Sequence, residues 1–156
     1  MEDISLIISV VSAVISIVAI AVSVWIYFAT VIHDRKEATL EAFNRLQSEV
    51  LDNINLLTKS QISELSRNTH SEKYKEVSSY LARIEHFCVG INTHIYDLNI
   101  VKRMAGKYFI GLYDKCLPMI EKKRNINKTD KHYNEFQSTV EKLEFKYKRN
   151  NPRVVK

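Results

Sequence analysis

The stretch ISLIISVVSAVISIVAIAVSVWIYFATVI, residues 4–32, decides the architecture because it contains 29 residues and no charge. A helix of this length spans about 43 Å, and the hydrocarbon core of a bilayer is about 30 Å thick. A cleaved secretory signal would need a basic start and a shorter apolar region, whereas this chain starts with two acidic residues. Trp25, Tyr27 and Phe28 lie near its end, where aromatic side chains suit the membrane interface. The stretch therefore predicts a retained transmembrane helix over residues 1–32.

The orientation in the membrane follows from the Lys and Arg residues that flank this helix. None precedes it, and Arg35 and Lys36 follow it directly. Because cytoplasmic flanks carry an excess of Lys and Arg, the chain is predicted to cross the inner (cell) membrane once and to place its carboxy-terminal part in the cytoplasm. The two cysteines, Cys88 and Cys116, suit that compartment as reduced thiols, although two cysteines could also form one disulfide.

Small side chains form a stripe along the predicted transmembrane helix. Its serines recur in steps of four, three, four and seven residues, and an alanine occupies the missing step; the stripe is Ser5, Ser9, Ser12, Ser16, Ala19 and Ser23. Small residues let helix backbones approach closely in lipid, and serine hydroxyls can form hydrogen bonds across an interface. The period near 3.5 predicts a left-handed bundle, so we expect a homo-oligomer. The stripe is either a packing seam alone or, in a bundle of four or more helices, the lining of a narrow polar path.

The rest of the chain has the pattern of an all-α protein. No glycine precedes Gly90 and no proline precedes Pro118, so nothing breaks the membrane helix as it leaves the bilayer. We expect a stalk helix over residues 33–58 and a helical cytoplasmic domain over residues 59–156, with a polar, loosely helical turn over residues 59–70.

Capping residues and apolar spacing predict the helices of this domain. Ser71, or Thr69 together with Glu72, can cap one helix, and Asp97 can cap the next. Pro118 is typical of a helix start and predicts a short helix there. A last helix is predicted from residues spaced three and four apart, namely Tyr133, Phe136, Val140, Leu143 and Tyr147.

The positive charge of the chain is concentrated at its end. The net charge is +5, and the last 36 residues contain 11 Lys and Arg against five Asp and Glu. Such a basic tail could meet anionic lipid, nucleic acid or a phosphorylated ligand. It could equally be a solvated helical face beside an anionic membrane.

Motifs for catalysis or cofactor binding are absent from the sequence, which contains no GxSxG, P-loop, dinucleotide fingerprint or HExxH. An enzyme, a catalytic residue and a cofactor are therefore not expected. His86, Cys88 and His94 come nearest to a set of metal ligands, but their spacing matches no standard zinc pattern. A buried cysteine on a helix face is the ordinary alternative, so no metal site is predicted.

Cations alternate with aromatic rings between Val101 and Arg124. Cations suit phosphates and rings suit bases. Together with a preceding arginine, this pattern predicts a nucleotide site made of Arg83, Lys102, Arg103, Lys107, Tyr108, Lys122 and Arg124. Alternatively, the rings belong to the core, and Arg83 and Glu85 form an internal ion-pair network.

The stretch YLARIEHFCVGINTHIYDLNIVKRMAGKYFIGLYDKCLPMIEKKR, Tyr80 to Arg124, resembles an uncharacterised bacterial family with one amino-terminal span and a small helical cytoplasmic domain. The motifs that carry the resemblance are Arg-x-Glu, Gly-x-Asn and Pro-x-Ile, here Arg83 and Glu85, Gly90 and Asn92, and Pro118 and Ile120. The resemblance covers under a third of the chain. It implies the fold and the membrane anchor, and it implies no activity.

A second resemblance concerns architecture only. In its size, single span and basic helical domain, the chain is similar to CRISPR-associated membrane effectors that bind cyclic oligoadenylate as oligomers and disrupt the membrane. It implies an oligomeric receptor–effector of antiviral defence whose partners are the membrane, further copies of itself and a cyclic oligonucleotide, but no duplex nucleic acid. The competing hypothesis is a membrane-tethered scaffold that docks a protein partner without ligand gating.

Overall fold

The computed structural model describes residues 2–150, and it describes the surroundings of side chains over residues 9–149. Within this range the chain is helical and contains no strand, which confirms the all-α class predicted from the sequence. The elements in chain order are α1 (Glu2–Leu46), a π-helical turn (Gln47–Leu51), α2 (Asp52–Asn55), α3 (Lys59–Leu65), α4 (Glu72–Asn92), α5 (Leu98–Asn127) and α6 (Asn134–Asn150).

The chain divides into two compact units between Arg35 and Lys36. In the first unit, the large apolar side chains from Val10 to Ile32 are exposed. Among the described residues, one helix near the amino terminus is long and apolar enough to cross a membrane, and none of its most apolar window is buried. Its length and composition therefore fit the predicted span.

The second unit, which begins at Lys36 and is called the helical domain below, is centred on the ring of Phe109 in α5. Phe109 is fully buried. The ring centroids of Phe43, Phe87 and Phe136 lie 6.0 to 6.3 Å from its own. These three rings come from α1, α4 and α6, and each aromatic pair contributes about 0.5–1.5 kcal/mol beyond its buried area. One ring thus joins the four long helices of the domain.

The helix faces predicted from apolar spacing are the buried faces. On α4 they include Val77, Leu81, Ile84 and Cys88, and on α6 they include Phe136, Val140 and Leu143. The predicted caps are also present. The Ser71 hydroxyl accepts a hydrogen bond from the Tyr74 N–H at 3.1 Å, and Asp97 accepts one from the Asn99 N–H at 2.7 Å.

Both cysteines are free thiols in the core. Burial raises the pKa of the Cys88 thiol and raises the pKa of Cys116 to about 12. Because the thiolate is the reactive form of cysteine, both side chains are protonated and unreactive at neutral pH. They behave as small apolar core residues.

The stalk predicted over residues 33–58 is wrong in one respect, because it is not a single α-helix. Regular α-helical bonding ends at Leu46, and the π-helical turn precedes α2, which ends at Asn55. Both Val50 and Leu51 are buried in the π-helical turn. Adjacent residues lie about 100° apart around an α-helix, which places them on different faces. A π-helical turn contains one extra residue, and this widens the face that can be buried, so both Val50 and Leu51 reach the core.

The polar turn predicted over residues 59–70 contains α3. Thr58 and Gln61 form a capping box: the Gln61 N–H donates to the Thr58 hydroxyl at 3.2 Å, and the Thr58 N–H donates to Gln61 Oε1 at 2.7 Å. Ile62 is fully buried. Leu65, three residues later, is half-buried against the core. Two apolar residues are too few for a periodic pattern, so the capping pair is the stronger local signal for this helix.

The prediction that Pro118 starts a helix is also wrong, because Pro118 lies inside α5. Proline removes one helical hydrogen bond at a cost of about 3 kcal/mol. Cys116, Met119 and Ile120, on either side of it, are buried, and burying one large apolar side chain contributes about 1.5–3 kcal/mol. Burial on both sides of the proline therefore keeps the helix intact.

Gly90 allows the chain to fold back over the end of α4. His94 has a φ of 65°, in the left-handed region, and the following segment returns Tyr96 to α4. There the Tyr96 ring stacks on Phe87 with a centroid distance of 5.1 Å. A Cβ atom added at Gly90 would collide with the Tyr96 ring, whereas one added at Gly111 would meet nothing within 4 Å.

These two glycines make a matched pair for a stability test. We expect Gly90→Ala to lower the free energy of unfolding by about 1–3 kcal/mol, because the Tyr96 ring must leave its stack. Gly111→Ala should raise it by up to about 1 kcal/mol, because alanine is the better helix former at an open position. Thermal unfolding of the full-length protein in detergent, followed by circular dichroism, measures both. Equal shifts of the melting temperature in the two variants would contradict the packing of Tyr96 on Gly90.

Candidate functional site

A groove of about 770 Å³ runs along the helical domain between α4 and the segment from Ala38 to Val50. Its apolar part is formed by Leu46, Val50 and Phe87, with Tyr96 beside them. Ligand pockets of about 300–1,000 Å³ are typical for small molecules, and they combine apolar walls with a few polar groups. The groove has the size and the composition of such a site.

Small side chains create the space in this groove. Ala38 and Ala42 line it from α1, and Ser79 and Ala82 line it from α4. Neither helix fills the gap between them at these positions.

Three charged side chains of the groove form one connected group. The Glu49 carboxylate accepts from Arg45 Nε at 3.1 Å and from Arg83 Nη1 at 2.8 Å. The side chains of Arg45, Glu49 and Arg83 are 78%, 44% and 54% exposed. Exposed ion pairs contribute about 0–1 kcal/mol, so Glu49 holds the two guanidinium groups in place but does not bind them tightly.

Of the seven residues predicted to bind a nucleotide, Arg83 lines this groove. The other six lie on α5. The backbone of α5 departs from helical geometry at Ala105 (φ −148°, ψ 18°), which kinks the helix between Arg103 and Lys107. Lys107 and Arg124 are 17 residues apart on the part of α5 that follows the kink, which corresponds to about 25 Å at about 1.5 Å per residue. The structure therefore does not bring the predicted set together around one small ligand.

Several of these α5 residues contact other parts of the domain. Tyr108 donates to Asn55 Oδ1 at 2.9 Å, and burial raises its pKa to about 12. Lys102 donates to the Lys146 carbonyl at 3.3 Å and lies over the Tyr147 ring, 4.9 Å from its centroid. These contacts attach α5 to α2 and α6.

Arg124 fixes the connection from α5 to α6. Its guanidinium donates to the His132 carbonyl and to Gln137 Oε1, both at 2.9 Å. Lys122 is half-buried. Arg103 and Lys107 are exposed, and neither forms a hydrogen bond or ion pair with the described part of the chain. These two cations remain open to a ligand outside the groove.

Sequence reasoning missed most of the groove. Arg45, Glu49 and Tyr96 had no role in the predicted site, and His86 was considered only as a metal ligand. These residues are separated in the chain and meet only when α1 packs beside α4, so no local pattern indicates them. Among the described residues, no group of three His, Cys, Asp or Glu side chains could hold a metal ion.

The comparison with protein families decides where this chain belongs. Residues 6–143 match the family described as a domain of unknown function, DUF4760. The chain belongs to the DUF4760 family. No curated protein and no solved structure matches it.

The DUF4760 match includes both the apolar helix and most of the helical domain. The predicted span is therefore part of what defines the family, together with the domain that follows it. The match ends at Leu143 and leaves out the basic end of α6. The groove lies entirely within the matched residues.

Two residues of the motifs noted in the sequence attach α6 to α4. Glu85 accepts hydrogen bonds from the N–H groups of Glu135 and Phe136, at 3.0 and 2.8 Å, and thereby caps the start of α6. Asn92 donates to the Glu135 carboxylate at 2.7 Å and accepts from Lys142 at 2.7 Å. Glu85 therefore bonds to backbone and Arg83 to exposed Glu49, so the predicted internal ion-pair network of Arg83 and Glu85 is wrong.

The serine stripe is exposed wherever its side chains are described, which excludes Ser5. Ser16 donates to the Ser12 carbonyl at 2.9 Å, and Ser23 donates to the Ala19 carbonyl at 2.8 Å. Because these donors are satisfied within the helix, the small volume of the stripe is its main contribution to a helix–helix contact. Self-association along the stripe stays a prediction.

Removing the Glu85 carboxylate should destabilise the helical domain. We expect Glu85→Ala to cost about 1–2 kcal/mol, as the loss of a helix cap does, because two N–H groups at the start of α6 lose their acceptor. Glu121→Ala is the matched control, since Glu121 is exposed on α5. Chemical denaturation of the full-length protein in detergent measures both. A Glu85→Ala variant as stable as the control would rule out the cap.

Enlarging the stripe should disrupt the assembly of the membrane helices. We expect Ser9→Leu, Ser12→Leu and Ser16→Leu together to weaken crosslinking between copies in membranes, because large side chains hold helix backbones apart. The control carries Val10→Leu, Val14→Leu and Ala21→Leu, which lie on the opposite face of an α-helix. If both triple variants assemble like the parent, the stripe is not the interface.

Proposed function

We propose that this DUF4760 protein is an oligomeric, membrane-anchored receptor–effector of antiviral defence. The apolar helix crosses the inner membrane once, and the helical domain lies in the cytoplasm. The domain binds a cyclic nucleotide messenger similar to cyclic oligoadenylate. Binding then alters the packing of the transmembrane bundle and thereby permeabilises the membrane.

The groove with Arg83 is the observation that carries this proposal. Its volume of about 770 Å³ suits a nucleotide. It offers guanidinium groups from Arg45 and Arg83, which suit phosphates because they donate two parallel hydrogen bonds. Phe87 and Tyr96 add aromatic surface for a base.

Glu49 determines the selectivity of the groove in this proposal. It occupies both guanidinium groups when no ligand is bound. Each phosphodiester of a cyclic oligonucleotide carries one negative charge, as the Glu49 carboxylate does. A ligand with two or more phosphodiesters can replace Glu49 on both guanidinium groups, because the loss of two exposed ion pairs costs little. Glu49 therefore favours ligands that offer more than one phosphodiester.

The π-helical turn supplies a route from ligand to membrane. One wall of the groove belongs to the segment from Ala38 to Val50, which follows the apolar stretch in the chain. This wall enters the π-helical turn, Gln47–Leu51, and such turns are frequent at functional sites. A ligand that changes the bonding of Glu49 acts on this turn, and hence on the helix that continues toward the membrane.

Orientation and pathway rest on the sequence. Arg35 and Lys36 favour a cytoplasmic domain. The antiviral role rests on the similarity of size, single span and basic domain to CRISPR-associated membrane effectors. Neighbouring genes for a CRISPR system or a nucleotide cyclase would support it, and a phage challenge of cells with and without the gene tests it.

A second candidate function is a membrane-tethered scaffold. The groove has an apolar floor and a rim with charges of both signs, which also suits an amphipathic helix of a protein partner. In that case nucleotides do not bind, and Glu49 contributes to the partner contact rather than competing with a ligand.

Changes in two oppositely charged residues test the nucleotide proposal. Calorimetry of the full-length protein in nanodiscs with cyclic di-, tri- and tetra-adenylate should show binding that weakens with salt. Arg83→Ala should weaken binding about tenfold or more, because a hydrogen bond to a charged group contributes about 1.5–3 kcal/mol. Glu49→Gln should tighten it by up to about fivefold, because it removes an ion pair worth up to about 1 kcal/mol.

One control variant and two contrary results complete this test. Arg67→Ala, an exposed cation on the loop after α3, is the control and should bind like the parent. Loss of binding in Arg103→Ala with Lys107→Ala, while Arg83→Ala binds normally, would move the site to α5. No binding of any cyclic nucleotide by the folded protein would favour the scaffold.

A further inference from the structure

The carboxy-terminal turns of α6 end near the point where the chain enters the helical domain. The Thr39 hydroxyl accepts from the Asp97 N–H at 2.8 Å, and Thr39 is the fourth residue of this domain. Two residues after Asp97, Asn99 accepts from the Lys146 ammonium. The Tyr147 hydroxyl donates to the Lys102 carbonyl at 2.9 Å. The start of α5 thus connects Thr39 to the end of α6.

Two large apolar side chains are exposed at this end of the domain. Phe145 on α6 is 66% exposed, and Ile95, in the loop that leads to Asp97, is 61% exposed. Neither side chain belongs to the core described above. Exposed aromatic and aliphatic side chains are what a protein inserts at the level of lipid headgroups.

Cations surround Phe145. Lys148 and Arg149 follow it by three and four residues, so they lie on either side of it on the helix surface. Both are exposed. The contact between Lys148 and Glu144 is a long one of 4.0 Å, with the lysine 70% exposed. Arg149 forms no hydrogen bond or ion pair with the described residues.

We propose that this surface, made of Ile95, Phe145, Lys148 and Arg149 and called the α6 end below, docks on the anionic headgroups of a lipid bilayer. The apolar side chains enter the headgroup region, and the two cations pair with lipid phosphates. The domain that carries this surface follows the apolar stretch directly in the chain, so a bilayer that holds the apolar stretch is covalently linked to the domain. The proposal does not depend on nucleotide binding in the groove.

Charge complementarity favours a bilayer over other anionic partners. Recognition of a nucleic acid or a phosphopeptide needs donors in a fixed geometry, whereas Lys148 and Arg149 are exposed at the end of a helix. Attraction to an anionic membrane needs only charge near the surface. The apolar side chains of Ile95 and Phe145 would have nothing to contact in a purely electrostatic complex with phosphate groups.

A fluorescent label at position 145 tests the docking. Phe145→Cys can be labelled selectively because Cys88 and Cys116 are buried, and an apolar fluorophore at this position takes the place of the Phe145 ring in the headgroup region. The full-length protein is placed in nanodiscs of phosphatidylcholine, alone or mixed equally with phosphatidylglycerol, and quenching by nitroxide-labelled lipid is measured. We expect strong quenching in the mixed discs, and weaker quenching in 1 M salt, where the Debye length is about 3 Å.

Leu56→Cys provides the matched control. Leu56 is 81% exposed, and it follows the π-helical turn and α2, 17 residues after Thr39 in the chain. A label there should not be quenched in either disc. Equal quenching at positions 145 and 56, or none at position 145, would overturn the proposal. A label at position 145 that is shielded from both lipid and water would indicate a protein contact and would also overturn it.

Neutralising the cations tests the role of charge. In the labelled protein, Lys148→Gln with Arg149→Gln should lower the ratio of docked to undocked domain about 30-fold, since each cation near an anionic surface contributes about 1 kcal/mol. Lys59→Gln with Arg67→Gln removes the same net charge from exposed positions elsewhere and should leave quenching unchanged. Equal losses of quenching in both variants would show that the net charge of the domain, and not the α6 end, causes docking on the bilayer.

Discussion

The helical domain depends on one long-range cap. The first N–H groups of a helix have no acceptor within it, and at α6 a carboxylate from α4, Glu85, accepts two of them. Asn92, seven residues later and therefore on the same face of α4, bonds to Glu135 and Lys142. This pair fixes the register of α6 against α4. It also determines where Arg83 lies, because residues two apart on a helix point about 200° away from each other. With Glu85 directed at α6, Arg83 faces α1 and enters the groove.

The docking of α6 gives most of the basic, aromatic pattern of α5 a structural role. Arg124 bonds to His132 and Gln137, and Tyr113 donates to Gln137 at 3.2 Å. Lys102 lies over the Tyr147 ring. Cations and phenols that alternate along one helix are also what a protein needs to attach a second, polar helix to it. Arg103 and Lys107 take no part in this attachment.

The two proposed anion sites need different arrangements of their cations. In the groove, Glu49 holds the guanidinium groups of Arg45 and Arg83 at set positions, as specific recognition requires. At the α6 end, Lys148 and Arg149 are exposed beside Phe145, as attraction to a lipid surface allows. The DUF4760 match covers the groove and stops before the α6 end.

The sequence by itself determined the all-α class, the apolar helix, the buried faces of α4 and α6, and the caps at Ser71 and Asp97. These features depend on the spacing of residues along one helix, which a sequence displays directly. Only the tertiary structure decided the continuation of α5 through Pro118, the π-helical turn, the role of Glu85 and the groove beside Arg83. Each of these depends on which helix packs against which: burial on both sides keeps the proline within a helix, and a carboxylate becomes a cap only when another helix begins in front of it. The spacing of residues within one segment does not reveal which helix packs against it.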